Sequence, residues 1–189
     1  MTMKDRICDT KEFVAVVDRE RYVREFRDVA TFEACCKACP NYGNRWGCPP
    51  FDRDTLQDLE AYEKVMIIGV KLTPHAPKIP MEQVYDLMRP ELERLTRRLL
   101  EMEREKQGFA LGFVCTCERC GDVPCARRDG KPCRHPDVVR PSLEAYGFNV
   151  SETASKLLGI DIVWSKGKNV PRYLTLVCAL FYNDKKSDV

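Results

Sequence analysis

Short apolar runs alternate along the chain with longer charged segments, a pattern that predicts strands separated by helices. β-branched residues are frequent in the apolar runs at 13–17 and 64–72, which favours buried strands. Further apolar runs predict strands at 109–114, 160–164 and 173–182, the last two forming a hairpin with a long loop. The pattern therefore predicts a sheet accompanied by helices.

The longest helical pattern lies at 81–107, where apolar residues three and four positions apart form one stripe among charged residues. Pro90 is expected to kink or divide this helix. Shorter helices are predicted at 18–28, 54–63 and 149–158. Because the strand at 64–72, the long helix and the strand at 109–114 follow one another, they predict a unit whose two strands run parallel.

The predicted fold class is α/β (or α+β), a single domain over residues 1–189 with a mixed sheet, helices and a cysteine-rich metal-binding loop region. A chain of 189 residues is long enough to bury one substantial core. Two cysteine-rich segments, 35–50 and 115–136, are expected to be inserted into this core. The second segment begins where the strand at 109–114 ends, and open α/β sheets bind ligands at the carboxyl ends of their strands.

The charge balance argues against a strongly basic nucleic-acid surface. The chain has 31 Lys and Arg residues and 29 Asp and Glu residues, which gives a formal net charge of +2. Residues 1–9 lack the uninterrupted apolar stretch of a secretory signal, and the longest apolar run, 65–70, is too short to span a bilayer. We therefore expect a cytoplasmic protein that binds neither nucleic acid nor membranes.

The cysteines point to metal chemistry. The chain has 11 of them, and in a reducing cytoplasm clustered thiols are metal ligands or redox groups more often than disulfides. Four in the segment 115–136 are separated by two, four and seven residues, with glycine and proline between them: Cys117, Cys120, Cys125 and Cys133. Such spacing lets several thiolates converge on one centre, so the sequence predicts a metal site here.

The irregular spacing favours iron and sulfur over zinc. Zinc ribbons draw two close cysteine pairs from separate turns, whereas this segment has only one such pair, Cys117 and Cys120. Cubane clusters accept ligands strung irregularly along a loop. They are also anionic, and we expect four basic residues to bind the cofactor and tune its potential: Arg127, Arg128, Lys131 and Arg134. A [4Fe-4S] cluster is therefore predicted, with zinc as the alternative.

The segment 35–50 offers a less complete set of ligands. Its cysteines supply three: Cys35, Cys39 and Cys48. The fourth ligand is Cys36, Cys115 or no protein group at all. Three cysteines would leave one iron open to a substrate, by analogy with catalytic metal sites. Alternatively, both segments pool their ligands around a single centre, so the spacing allows one or two clusters.

Several motifs together carry a family resemblance: Cys35-Cys-Lys-Ala-Cys-Pro-Asn-Tyr-Gly, Cys48-Pro-Pro, Cys133-Arg-His-Pro and Arg140-Pro-Ser-Leu-Glu-Ala-Tyr-Gly-Phe-Asn-Val. With them the chain resembles a family of prokaryotic predicted metal-binding proteins, a domain of unknown function common in anaerobes. The resemblance implies metal ligation by Cys35, Cys39, Cys48, Cys117, Cys120, Cys125 and Cys133. It implies no activity, because the family is named for presumed metal binding.

Three functions are compatible with these observations. The first is an iron–sulfur protein that serves redox chemistry or delivers electrons to a partner enzyme, which would be its redox partner. The second is an enzyme whose three-cysteine cluster binds substrate at an open iron, for example for desulfuration. The third is an interaction module in which zinc replaces a missing part of the core. The substrate and the oligomeric state do not follow from the sequence.

Overall fold

The computed structural model describes residues 8–76, 78–113, 117, 119–165 and 167–184. Within these ranges the sheet has four strands: β1 (Cys8–Asp18), β2 (Lys64–Pro74), β3 (Phe109–Leu111) and β4 (Leu174–Tyr182). Their order is β1-β2-β4-β3, and all three neighbouring pairs are antiparallel. The α/β single-domain class is confirmed, with a sheet that is antiparallel rather than mixed.

The two strands of the predicted strand–helix–strand unit are β2 and β3, and they are not paired with each other. β2 and β3 both run antiparallel to β4, so they share one direction, as the pattern predicts. They are not neighbours, however, because β4 lies between them. Ile68 of β2 faces Cys178, and Leu111 of β3 faces Ala179. A strand from the C-terminal end of the chain therefore completes the centre of the sheet.

The described helices are α1 (Arg19–Phe26), α2 (Val29–Lys37), α3 (Val84–Lys106) and α4 (Val150–Leu158). Short 3-10 turns occupy Gln57–Leu59, Met81–Gln83, Ala126–Asp129 and Glu144–Tyr146. α3 corresponds to the longest predicted helix and continues through Pro90. Among the helices of the described ranges, none combines the length and the apolar composition that a membrane crossing requires.

The two faces of β4 belong to two separate hydrophobic cores, because side chains alternate along a strand. Phe181 lies in the core shared with α1 and α4, where the ring of Tyr22 stacks on that of Phe148 with centroids 4.7 Å apart. Leu180 lies in the core beneath α3, together with Leu95. Helices therefore cover both faces of the sheet.

Two apolar runs behave differently from the prediction. β1 extends beyond 13–17 and forms an edge of the sheet, where Val14 and Val16 remain 50% and 48% exposed. The strand expected at 160–164, and with it the hairpin, is wrong, because these residues belong to no strand. Ile160 is nevertheless buried in the core. Ile162 and Val163 are partly buried against the same core, whereas Trp164 is 73% exposed, so only part of this apolar run reflects burial.

The helix predicted at 54–63 is also wrong in its extent. The carboxylate of Asp54 accepts a hydrogen bond from the amide of Leu56 at 2.9 Å, but only Gln57–Leu59 forms a helical turn. Of the apolar side chains in this stretch, Leu59 alone is completely buried, which anchors a single turn. Conversely, α2 extends into the cysteine segment where the sequence predicts a loop.

Alanine at Gly147 is expected to destabilise the fold. Gly147 has a φ of +82°, and an added Cβ would lie 2.9 Å from the Cα of Val29 at the start of α2. Gly159 is the matched control, because its φ is +66° but an added Cβ would meet nothing within 4 Å. We expect urea denaturation to show a loss of unfolding free energy of about 1 kcal/mol for Gly159→Ala and roughly 2–4 kcal/mol for Gly147→Ala. Equal losses would contradict the close contact with Val29.

Candidate metal centre

α2 positions the first two thiols of the segment 35–50. The side chain of Asp28 caps the helix by accepting a hydrogen bond from the amide of Thr31 at 3.1 Å. Cys35 and Cys36 lie in the last turn, about 100° apart around the helix axis. Cys35 is exposed, whereas Cys36 is half-buried. The helix therefore gives these adjacent cysteines different environments.

Tight turns follow α2 and shape the rest of this segment. Gly43 adopts a left-handed conformation with a φ of +69°, and its amide donates to the carbonyl of Pro49 at 2.8 Å. The amide of Cys48 donates to the carbonyl of Arg45 at 3.1 Å. These bonds close the loop on itself, leaving Cys39 exposed and Cys48 half-buried.

In the second cysteine segment, hydrogen-bond donors lie close to two sulfur atoms. The amide of His135 donates to Sγ of Cys133 at 3.4 Å. Nη1 of Arg134 lies 3.7 Å from Sγ of Cys120 and donates to the carbonyl of Pro124 at 2.9 Å. Donors of this kind stabilise negative charge on a metal-bound thiolate. The cofactor-binding role of Arg134 itself stays a prediction.

The two cysteine segments are in direct contact. Nη1 of Arg45 donates to the carbonyl of Cys117 at 2.7 Å, and Nε1 of Trp46 donates to the carbonyl of Lys131 at 2.9 Å. Gly47 lies beside Cys117, since an added Cβ would be in van der Waals contact with Cβ of Cys117 at 3.5 Å. The fold therefore brings together two regions that are far apart in sequence.

Arg127, in the second cysteine segment, forms hydrogen bonds to the backbone of the first. Its Nη1 donates to the carbonyl of Arg45 at 2.8 Å and to that of Cys48, and its Nη2 donates to the carbonyl of Pro50. The guanidinium also lies over the ring of Trp46, 5.4 Å from its centroid. The contacts of this arginine thus give it a structural role, beyond the tuning of a cofactor that the sequence predicts.

Cys117 contributes to the walls of two cavities. One has a volume of about 120 Å³, and its lining includes Cys36, Cys39, Cys48 and Cys117. The other has a volume of about 490 Å³, and its lining includes Cys117, Cys120, Cys125 and Arg128. Among the predicted ligands within the described ranges, Cys35 and Cys133 line neither cavity. Cys115, a candidate fourth ligand, lies outside the described residues.

The thiols around these cavities perturb one another. Burial raises the pKa of Cys48 to about 11, and the nearby thiols of Cys117 and Cys39 add to the effect. Burial also raises the pKa values of Cys117 and Cys36. At Cys117 a hydrogen bond from the amide of Gly47 opposes this effect. These thiols are therefore protonated at neutral pH.

The described cysteines have the chemistry of ligands but no ready-made ligand geometry. All ten of them are free thiols. Across the described part of the chain, no group of three or more His, Cys, Asp or Glu side chains is close enough together to hold a metal ion. The assignment of individual cysteines as ligands therefore stays a prediction.

The remaining two basic residues predicted to bind the cofactor, Arg128 and Lys131, lie at the protein surface. The amide of Arg128 donates to the carbonyl of Cys125 at 3.1 Å, which places this arginine on the wall of the larger cavity. Both Arg128 and Lys131 are exposed. These two side chains are therefore available to a partner or to solvent.

Glu144 is a site residue that sequence reasoning did not identify. It lies in the 3-10 turn Glu144–Tyr146 and contributes to the wall of the smaller cysteine-lined cavity. Burial raises the pKa of its carboxyl group, which the hydroxyl of Ser142 partly opposes by a hydrogen bond. Its Oε2 is buried without a hydrogen-bond partner among the described residues. The one available signal was an acidic residue between apolar neighbours, Leu143 and Ala145, in the last motif of the family resemblance.

The chain matches a known protein family. The family described as "Predicted metal-binding protein (DUF2284)" matches residues 26–181, which is most of the chain and includes both cysteine segments. Neither the curated proteins nor the solved structures include a match to this chain. On the extent of the family match, the protein belongs to the DUF2284 family of predicted metal-binding proteins.

Proposed function

We propose that the protein holds one or two [4Fe-4S] clusters and serves redox chemistry by delivering electrons to a partner enzyme. The observation that carries the proposal is the pair of cysteine-lined cavities that meet at Cys117. Cysteines from both segments contribute to the smaller cavity, so the contact between the segments would bring ligands from both of them to one cofactor. Membership in a family of predicted metal-binding proteins is consistent with a metal cofactor at this position.

The distribution of the thiols fits a cluster. A single zinc ion requires every sulfur ligand to lie about 2.3 Å from one point, whereas a cubane presents a separate iron to each cysteine. Cys117, Cys120 and Cys125 contribute to the wall of a cavity of about 490 Å³, an arrangement suited to ligands spread around a larger cofactor. When bound, such a cluster supplies one-electron redox chemistry.

The surroundings also suit an anionic cofactor near the protein surface. Arg134 and the amide of His135 lie beside the sulfurs of Cys120 and Cys133, where they would stabilise added negative charge. Exposed Arg128 and Lys131 offer positive charge to an acidic partner. Electron transfer between proteins requires a cofactor close to the docking surface. Arg128 and Lys131 are exposed residues of the same cysteine segment that would hold the cofactor.

Reversible reduction tests the proposed redox role. Anaerobically purified protein is expected to show thiolate-to-iron absorbance that dithionite bleaches and a mild oxidant restores. Bleaching without recovery, or absorbance that does not respond to the reductant, would contradict electron delivery.

Metal binding to the metal-free protein is expected to release protons and to strengthen as pH rises. The pKa of Cys48 is raised to about 11, so its thiol is protonated at neutral pH and must lose that proton to become a ligand. Cobalt(II) titration by calorimetry, in two buffers that differ in ionisation enthalpy, measures the protons released. We expect about one proton per cysteine ligand, and an affinity that is the same at about pH 6 and about pH 8 would contradict this account.

A second candidate function is an enzyme with an open iron. The observation that favours it is the smaller cavity, where Cys36, Cys39 and Cys48 share the wall with the buried carboxyl group of Glu144. A carboxyl group beside such a cavity would be placed to hydrogen-bond a substrate. Addition of cyanide to the loaded protein tests this candidate, because an exogenous ligand on an open iron changes the electron paramagnetic resonance spectrum. An unchanged spectrum would favour a cluster with four cysteine ligands.

A further inference from the structure

A third cavity adjoins the smaller cysteine-lined one. Its volume is about 300 Å³, within the range of small-molecule sites, and it lies between α2 and the 3-10 turn Glu144–Tyr146. The two cavities have Cys36, Pro49, Glu144 and Ala145 in common, so one wall separates them. A molecule bound in the third cavity would therefore lie next to the candidate metal centre.

Arg27 supplies a cation to this cavity. Its Nε donates to the carbonyl of Tyr146 at 2.9 Å, and its Nη2 donates to Oγ1 of Thr55 at 2.9 Å. These two bonds fix the guanidinium while leaving further N–H donors for a ligand. Within the described ranges, Arg27 forms no ion pair with a carboxylate. It is therefore a half-buried cation whose charge is not neutralised by a direct partner.

Three other charged residues of the cavity have direct contacts of their own. Arg53 pairs with Asp58 at 3.0 Å, and Glu33 pairs with Lys37 at 3.3 Å. The carboxylate of Asp54 accepts a hydrogen bond from the amide of Leu56, and its charge acts on Arg27 without a direct ion pair. Of the two arginines that line the cavity, Arg27 is therefore the one without a carboxylate in direct contact among the described residues.

Glu144 contributes a polar atom that has no hydrogen-bond partner among the described residues. Its Oε2 is buried and has no hydrogen-bond partner among the described residues, an arrangement that costs free energy unless a ligand or water supplies a partner. The side chains of Val29, Pro50 and Phe51 form an apolar part of the same cavity wall. The cavity thus combines a cation, an unpaired carboxyl oxygen and an apolar surface.

We propose that this cavity binds a small hydroxy acid. Its carboxylate would pair with the guanidinium of Arg27, its hydroxyl group would donate to Oε2 of Glu144, and its carbon chain would lie against Phe51. A charge-assisted pair with an arginine and a hydrogen bond to a buried oxygen each favour such a ligand over an uncharged or unsubstituted one. The binding site does not depend on the proposed metal centre, which would determine only what happens to the bound acid.

Saturation-transfer NMR with three hydroxy acids of different length, lactate, 4-hydroxybutyrate and 6-hydroxyhexanoate, tests the proposal on the metal-free and the metal-loaded protein. We expect at least one of them to bind with a Kd below about 10 mM, and about tenfold more tightly than the matching acid without the hydroxyl group. Binding to the metal-free protein separates this inference from the proposed function, because it requires no cluster.

Two variants assign the binding to the two polar groups. Arg27→Gln is expected to weaken binding by about tenfold or more, whereas Arg24→Gln, an exposed arginine on α1, should leave it unchanged. Glu144→Met retains the size of the side chain and removes both oxygens, so it should abolish the preference for hydroxy acids while binding of the simple acids persists. Its fold is expected to survive, because a buried unpaired oxygen is removed.

The outcomes that overturn the proposal are specific. Failure of all three hydroxy acids to bind would exclude the site, as would equal binding by the wild type and Arg27→Gln. A hydroxyl preference that persists in Glu144→Met would exclude the role of Glu144. If Arg27→Gln does not fold, Glu144→Met decides the question alone.

Discussion

Serine at Cys117 is expected to lower metal affinity by well over tenfold, the largest effect of any single cysteine substitution. Cys117 contributes to the walls of both cysteine-lined cavities, and its pKa responds to thiols of its own segment. A serine hydroxyl is a hard, weakly acidic group that replaces a thiolate poorly as a ligand of iron or zinc. Metal analysis of the purified variant, supported by its absorbance spectrum, measures the loss.

Cys178→Ala is the matched control for this substitution. Cys178 is 1% exposed in β4, in the core beneath α3, and it lines neither cysteine-lined cavity. Alanine there removes a thiol at a small packing cost, so metal content should match that of the wild type. Wild-type metal content in Cys117→Ser would contradict a centre built around the junction of the two segments.

Glutamine at Arg127 is expected to destabilise the protein by roughly 2–4 kcal/mol and to impair metal retention. Arg127 donates to carbonyl groups of Arg45, Cys48 and Pro50, and these bonds hold the first cysteine segment against the second. A glutamine side chain is too short, and has too few donors, to make all three bonds. Urea denaturation and metal analysis measure the two effects.

Arg128→Gln provides the comparison for Arg127, because it removes the same charge from the adjacent position. Arg128 is exposed, and the hydrogen bond that places it uses its backbone amide, so the substitution should change stability by less than about 0.5 kcal/mol. Equal effects of the two variants would show that Arg127 acts through its charge. A large effect of Arg127→Gln alone would support its role in joining the segments.

The sequence predicted the elements whose signals are local. Periodicity identified α3 and the segments that form β2 and β4. The predicted helix at 149–158 corresponds to α4, whose cap is the Asn149 side chain, which accepts from the amide of Glu152 at 3.0 Å. The position of β4 between β2 and β3 depends on pairing between distant parts of the chain, which no local pattern contains. The run at 160–164 shows the same limit, because Ile160 is buried there without joining a sheet.

The candidate site was predictable in composition rather than in arrangement. Cysteine spacing identified both segments as metal-binding candidates. It did not show that Cys35 is exposed and Cys36 half-buried, a difference that arises because both lie on α2 and point in different directions from its axis. Charge suggested that Arg127 binds the cofactor, while its hydrogen bonds show that it joins two loops. Glu144 was missed because burial of a carboxyl group is a property of the folded chain. Tertiary contacts therefore determine which of the predicted groups share a cavity.

Analysis of iron, zinc and acid-labile sulfide in anaerobically purified protein, together with its electron paramagnetic resonance spectrum, tests the central proposal most directly. The account predicts iron and sulfide in equal amounts, about four of each per cluster, and a signal that appears on reduction. A colourless protein that contains stoichiometric zinc and no sulfide would contradict it.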